Sequence, residues 1–347
     1  MNKLTPLKPV PSLIAVLITC IIWFAVPVPD GVDPNAWHLL ALFVGTIAAI
    51  IGKALPIGAV SMVAIALVAL TGVTNPGSAK AALGDALSGF SNELIWLIGV
   101  SIMVSLSLNK TGLGARIGYY FISLFGKKTL GIAYSLAIAE TVLAPVTPSN
   151  TARGGGIIHP IMRSIADSFG SKADDGTSGK IGRYLALVNY NTNPITSAMF
   201  ITATAPNPLI VTLIVQEAGK GAELSWSMWA VAAFLPALIS LITMPLVIYF
   251  LYKPEITATP DAPEFARERI RELGPVSLPE KITLGVFILL LALWAGVPGW
   301  LFGSEYNVHP TPAAFIGLAA LLCSGVLSWD DVLKNKGAWD TAVWFAA

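Results

Sequence analysis

From Trp226 to Leu251 the chain runs without a single charged side chain. A bilayer is crossed by about 20 apolar residues, or about 17 at the short end, so this stretch spans one. Seven further apolar runs come near that length: Pro11 to Val28, Ala36 to Gly52, Ile57 to Val73, Leu94 to Leu108, an interrupted run from Tyr184 to Val215, Ile282 to Val297, and Pro312 to Leu327. In lipid every backbone polar group has to be satisfied internally, so successive runs of this kind fold as helices. The expectation is an all-α polytopic membrane protein. Composition agrees, with 55% hydrophobic and 12% charged residues and a mean hydropathy of +0.72, against roughly 25% charged in soluble domains.

Several classes drop out on the same reading. A net charge of +1 with no basic run interleaved by aromatics gives no nucleic-acid partner. Partners are membrane lipid, other membrane helices and small solutes. Cys20 and Cys323 each sit inside an apolar run, which fits neither a disulfide framework nor a zinc site. No Ser/His/Asp or metal-ligand spacing falls at membrane depth, so no enzyme and no cofactor are expected. The first apolar run ends Val-Pro-Val-Pro-Asp rather than in small residues, and reads as an uncleaved span.

Orientation follows from lysine and arginine. With the N-terminus inside, 18 of the 21 basic residues fall on inner segments, from Lys3, Lys8 and Lys53 through the clusters 110–128, 163–183 and 253–281 to Lys334 and Lys336. Only Lys80 and Lys220 fall outside, and Arg153 lies near the polar tip described next. The bias holds only if residues 129 to 162 cross twice or not at all. This segment is two apolar arms meeting at Thr147-Pro148-Ser149-Asn150-Thr151, with basic residues at both ends. A re-entrant hairpin and a pair of spans both satisfy the count. A helix-breaking polar tip at membrane depth is tolerated only where it lines a cavity or is buried in protein, and there a bound solute is expected. Ala115 to Phe125 is read as an interfacial helix with Tyr119 and Tyr120 at headgroup level. The polar stretch Lys253 to Lys281 is read as a solvated linker around a short surface helix at Pro263 to Gly274.

At the tip, Pro145 and Pro148 free backbone carbonyls, and Ser149, Asn150 and Thr151 add side-chain oxygens, a donor set suited to sodium. The half-helix beginning near Asn150 turns its positive end toward an anion. Ser149 or Asn150 also fits a simple helix N-cap. A second polar stretch is Asn189-Tyr-Asn-Thr-Asn193-Pro194-Ile-Thr-Ser197, followed by Thr202-Ala-Thr204-Ala-Pro206-Asn207-Pro208. Pro206 and Pro208 remove two donors, so the helix is expected to break there and form the facing wall; a proline kink is the other reading. Asn189, Asn191 and Asn193 suit either the site or hydrogen bonds between helices. Glu140, Arg153 and His159 are ionisable in apolar surroundings. Glu140 is expected to brace the hairpin by an ion pair with Arg153 or His159, with proton coupling as the alternative, and Arg153 to add positive potential to an anion site. Gly154-Gly155-Gly156 permits close helix packing.

The two halves of the chain also compare with each other. Ala59 to Val73 matches Pro312 to Val326, and Phe90 to Gly99 matches Ala338 to Ala347, aligning Trp96 with Trp344. Five crossings between equivalents invert the topology, as in inverted-repeat carriers. The second copy ends partway into the span of Trp344, so a truncated chain with an incomplete second repeat is expected.

Thr147-Pro148-Ser149-Asn150-Thr151-Ala152-Arg153, together with Thr204-Ala205-Pro206-Asn207, resembles the signature of the divalent anion:sodium symporter family, and the resemblance covers essentially the whole chain. It implies a bacterial inner-membrane, secondary active transporter of di- and tricarboxylate anions by symport or exchange, a homodimer when full length. The alternative is a truncated, non-transporting fragment of such a carrier. By position, the resemblance places the substrate at Asn150, Thr151, Pro206 and Asn207, and a coupling sodium ion, if there is one, at Ser149, Asn150 and Thr204. It divides the chain into scaffold spans (1–128), a moving hairpin, broken helix and following span (129–251), a cytoplasmic linker helix (252–281) and the start of the second repeat (282–347).

Overall fold

The computed structural model describes residues 7–347; Lys3, counted above among the inward charges, lies outside the described residues. In chain order the α-helices are α1 (Pro9–Cys20, continued by a π turn at Ile21–Ala25), α2 (Pro34–Ile51), α3 (Ile57–Thr71), α4 (Ala79–Leu87), α5 (Glu93–Thr111), α6 (Leu113–Phe125), α7 (Thr129–Leu143), α8 (His159–Ser168), α9 (Gly182–Met199), α10 (Pro206–Ala218), α11 (Trp226–Leu251), α12 (Ala262–Glu272), α13 (Leu278–Trp294), α14 (Val297–Phe302), α15 (Pro310–Cys323), α16 (Trp329–Lys334) and α17 (Lys336–Ala346). Pro34–Ile51, Glu93–Thr111, Thr129–Val146 and Trp226–Leu251 are long and apolar enough to cross a membrane. Pro9–Ala25, Ile57–Thr71 and Pro310–Cys323 are shorter apolar helices.

Local chemistry sets the helix starts. The Asp33 carboxylate accepts the Asn35 amide at 2.7 Å just ahead of Pro34 at the first position of α2. Ser277 and Glu280 exchange side-chain and backbone bonds in a capping box at the start of α13. Helix α4 was not expected from the sequence; it is short, and Ser78 caps it by accepting the Ala81 amide.

Two compact units share the chain. One holds the residues up to Gly99 together with Asn335–Ala347. In it α1 packs on α2, α2 on α3 and α3 on α4, and α17 lies against α3. The other is Val100–Lys334, where α6 packs on α7 and α12, α9 packs on α11, α7 and α8, and α13 packs on α15.

Within this second unit three expectations are corrected. Tyr119 is buried rather than at headgroup level, and only Tyr120 is exposed. The cause is a close approach: a Cβ on Gly118 would lie 2.5 Å from Ile161 Cδ1, so α6 sits tight against the hairpin's second arm and turns Tyr119 inward. The linker is not solvated all round. Ala262, Pro263 and Ala266 of α12 are buried, and α12 packs on α6. Its approach segment pairs backbone on two sides, Thr129 N to Thr257 O and Thr259 N to Lys127 O on one, Glu255 N to Gly179 O and Ile256 N to Lys180 O on the other. Lastly, the break in the interrupted run lies ahead of Pro206 rather than at the proline pair. α9 carries Pro194 inside it and ends at Met199. Phe200 and Thr204 are extended around a short 3-10 turn at Ile201–Ala203, and Pro206 opens α10. Proline suits the first turn of a helix, where its missing N–H costs nothing.

Candidate functional site

The hairpin and the broken helix both belong to the second unit. α7 runs into a 3-10 turn at Ala144–Val146 carrying Pro145. Residues 147–149 are non-helical, and the second arm restarts as a π-helix at Thr151–Ile158 that continues into α8. Two prolines and three consecutive glycines leave this stretch poor in regular α-helical propensity. Gly154 is the glycine whose size matters: a Cβ there would lie 2.5 Å from Asn193 Nδ2, whereas Gly155 faces open space.

The tip caps itself. Ser149 Oγ accepts the Ala152 amide at 3.2 Å, and Asn150 Oδ1 accepts the Thr151 amide at 2.8 Å. Ser149 and Asn150 are half-buried, while Thr151 is exposed. Their oxygens keep free lone pairs, and the arm's positive end still faces the tip.

Arg153 joins the tip to the break. Its side chain is fully buried. Nη1 donates to the Thr147 carbonyl at 2.7 Å and to the Ala203 carbonyl at 2.9 Å, and Nη2 donates to Thr196 Oγ1 at 3.2 Å and Ser197 Oγ at 2.8 Å. Four of its five donors are thereby spent on the tip, the break and α9. Nε approaches Glu140 Oε1 at 3.5 Å, close enough for an ion pair but not aligned as a hydrogen bond. Glu140, also fully buried, accepts at Oε1 from Asn193 Nδ2 at 2.7 Å and from Thr196 Oγ1 at 3.1 Å, while Oε2 receives no hydrogen bond. Asn193 Nδ2 donates as well to the Asn150 carbonyl at 3.0 Å. Removing a charged pair from water carries a desolvation cost that these hydrogen bonds offset.

Further bonds hold the break. Thr202 Oγ1 donates to the Pro145 carbonyl at 2.6 Å and accepts from Trp226 Nε1 at 3.0 Å. Asn207 is buried, and its Nδ2 donates to the Ser197 carbonyl at 2.8 Å and the Phe200 carbonyl at 3.0 Å, satisfying carbonyls freed where α9 stops. Thr204 is half-buried and Pro206 exposed.

The structure therefore pairs Glu140 with Arg153 and sets the tip beside the break. His159 is exposed, outside that network. The asparagines separate: Asn193 bridges to the hairpin, Asn189 Nδ2 reaches the Gly154 carbonyl at 3.5 Å, and Asn191 is exposed and bonds within its own helix to Leu187 O. Sequence reasoning placed Thr196, Ser197 and Thr202 in the second polar stretch without assigning their bonds to Arg153 and Pro145, and missed Trp226. A signal was there for the first two, since 189, 193, 196 and 197 fall on one face of a helix.

A family description, the sodium:sulfate symporter transmembrane region, matches residues 8–347. The chain belongs to the sodium:sulfate symporter family. Among symporter-family relatives, the Bacillus subtilis protein YflS, whose name marks it as a candidate malate transporter, is 50% identical over 346 residues, covering 100% of this chain and 69% of its own length. Chloroplastic dicarboxylate transporter 1 of Spinacia oleracea is 42% identical over 97% of this chain and 56% of its own length. The L-tartrate/succinate antiporter of Escherichia coli is 35% identical over 93% of this chain and 66% of its own. The chain thus spans little more than half the length of the plastid relative and about two thirds of the bacterial ones.

Proposed function

We propose that the chain is a secondary carrier of di- and tricarboxylate anions, working by symport or exchange in a bacterial inner membrane with its N-terminus on the cytoplasmic side. The relatives named for malate, dicarboxylates and tartrate/succinate support the substrate class. The observation that carries the reading is the Arg153 guanidinium, buried between the Ser149-Asn150-Thr151 tip and the break before Pro206 and bonded to both. It sets a guanidinium, paired with Glu140, behind a helix N-terminus and beside side chains able to donate to carboxylate oxygens. Asn150 and Thr151 bind one substrate carboxylate, and Pro206 and Asn207 close the far side. Asn207 does so by shaping the break, since its amide is already committed to two carbonyls.

A coupling sodium ion would have Ser149, Asn150 and Thr204 as side-chain ligands. The neighbouring Thr147 and Ala203 carbonyls are engaged by Arg153, which leaves such an ion few backbone oxygens. We further propose that a homodimer with an inverted second repeat is the working form of the full-length carrier. Counterflow in proteoliposomes tests the reading. Vesicles preloaded with succinate should accumulate labelled malate, with competition from tartrate and citrate, whether the external salt is sodium or choline. Failure of any carboxylate to exchange overturns it.

A further inference from the structure

We propose that Glu140 is a proton-binding site whose occupancy is linked to the binding of a dianionic substrate at the 149–151 tip. The proposal rests on the carboxylate-carrier reading above and adds the identity of the coupled ion. Both hydrogen bonds to the Glu140 carboxylate fall on Oε1, from Asn193 and Thr196, and Oε2 is buried with no partner. A proton can therefore attach at Oε2 without breaking a bond already made. Arg153 does not depend on Glu140 for its position, because its four hydrogen bonds go to Thr147, Ala203, Thr196 and Ser197. It stays in place in both states of Glu140.

The charge it presents does change. With Glu140 ionised the pair is neutral; with Glu140 protonated, Arg153 retains a net positive charge behind the tip. In this step hydronium gives up a proton: one of its O–H bonds breaks, an O–H bond forms at Oε2, water is released and the carrier gains one unit of positive charge. Asn193 connects the two sites directly, donating to Glu140 Oε1 and to the Asn150 carbonyl. A dianion at the tip favours the protonated carrier, and by reciprocity a proton favours the dianion.

Other titratable groups on the packed helices are engaged or turned away. Tyr134 on α7 donates to Ile242 O, and Tyr184 on α9 donates to Pro245 O with the Tyr249 ring of α11 edge-on against it. Arg116 of α6 is bonded to Glu280; Tyr119 is buried facing the hairpin's second arm, and Tyr120 and, on that arm, His159 are exposed. Among the described residues, Arg153 is the charged group in contact with the Glu140 carboxylate. Asn189 Oδ1 and Thr192 Oγ1, buried without partners, extend the polar stripe of α9 back toward its start. They offer stations for the water that would carry the proton.

The test is proton uptake on substrate binding by the purified chain in weakly buffered detergent solution with a pH indicator, between about pH 6.5 and about pH 8.5, where succinate is largely a dianion. The wild type should take up protons as succinate binds, and its apparent Kd should rise toward tenfold per pH unit in the alkaline part of the range. Glu140→Gln should bind succinate with pH-independent affinity and take up no proton. Binding by the wild type without proton uptake overturns the proposal, as does wild-type proton uptake by Glu140→Gln. Should that variant fail to fold, the wild-type stoichiometry decides. Absence of succinate, malate and tartrate binding at every pH overturns the carrier reading itself, and this inference with it.

Discussion

The Arg153 guanidinium donates to the Ala203 carbonyl at 2.9 Å, joining the second arm of the hairpin to the break between α9 and α10. The same nitrogen holds the Thr147 carbonyl. One side chain thus fixes the spacing of the two irregular backbone segments on which the site depends, and leaves Ser149, Asn150 and Thr151 free to meet a substrate.

Arg153→Ala should destabilise the chain by about 3–5 kcal/mol, the range for stranding one member of a buried pair. Arg153→Lys should recover only part of this, because an ammonium cannot reach four acceptors in a planar fork. Thermal unfolding in detergent measures both. Combining Arg153→Gln with Glu140→Gln should cost less than the sum of the single changes, since neither charge is then left alone.

Asn207→Ala should cost about 1–3 kcal/mol by leaving the Ser197 and Phe200 carbonyls without their donor. Asn207→Asp should cost at least as much, since it sets an acceptor against two acceptors. Unfolding midpoints equal to the wild type for both variants would remove Asn207 from the break.

How much of this was legible beforehand depends on what carries the signal. The apolar runs were, because a membrane permits little except helices of about that length. The irregular tip was, because Pro145 and Pro148 on either side of Thr147 disfavour a continuous α-helix. Its pairing with the break was legible as a facing wall, from the second proline-bearing polar stretch and from the family resemblance, but not bond by bond. The bonds that make the pair, from Arg153 to Ala203 and from Thr202 to Pro145, join residues about fifty apart in the chain, and no local periodicity records them. The prolines misled for a physical reason: Pro206 has the dihedral of a helix start, so the break falls before it. Tyr119 misled because Gly118 lets α6 close on Ile161 of the hairpin's second arm, and the linker because α12 packs on α6; neither contact is recorded in residue type.

Gly154→Ala should lower stability by about 1–3 kcal/mol, because its new methyl would meet Asn193 Nδ2 at 2.5 Å and push α9 off the hairpin. Gly155→Ala should be neutral or slightly stabilising, since nothing lies near it. Comparable effects for the two would contradict the close approach at 154.

At the start of α13, ahead of the apolar run from Ile282, Glu280 takes Arg116 Nε at 2.6 Å and Nη2 at 3.2 Å. Burial opposes its ionised form, but Arg116 and the Ser277 backbone and hydroxyl outweigh it and hold the carboxyl below its ordinary 4.5. A lowered folded value means stability that is fully present above about pH 4.5 and lost as pH falls through that lower value. Unfolding midpoints between about pH 3 and about pH 7 should drop at the acid end, and Glu280→Gln should flatten that part of the curve.

Uptake of labelled malate by proteoliposomes containing Asn150→Ala together with Thr151→Ala tests the account most directly, because it alters the tip and leaves the Arg153 network in place. The account predicts a chain that unfolds at nearly the wild-type temperature and has lost malate uptake at least about a hundredfold, the loss expected when the polar contacts to one carboxylate, worth about 3 kcal/mol together, are removed. Uptake at the wild-type rate and apparent affinity by that variant would contradict it.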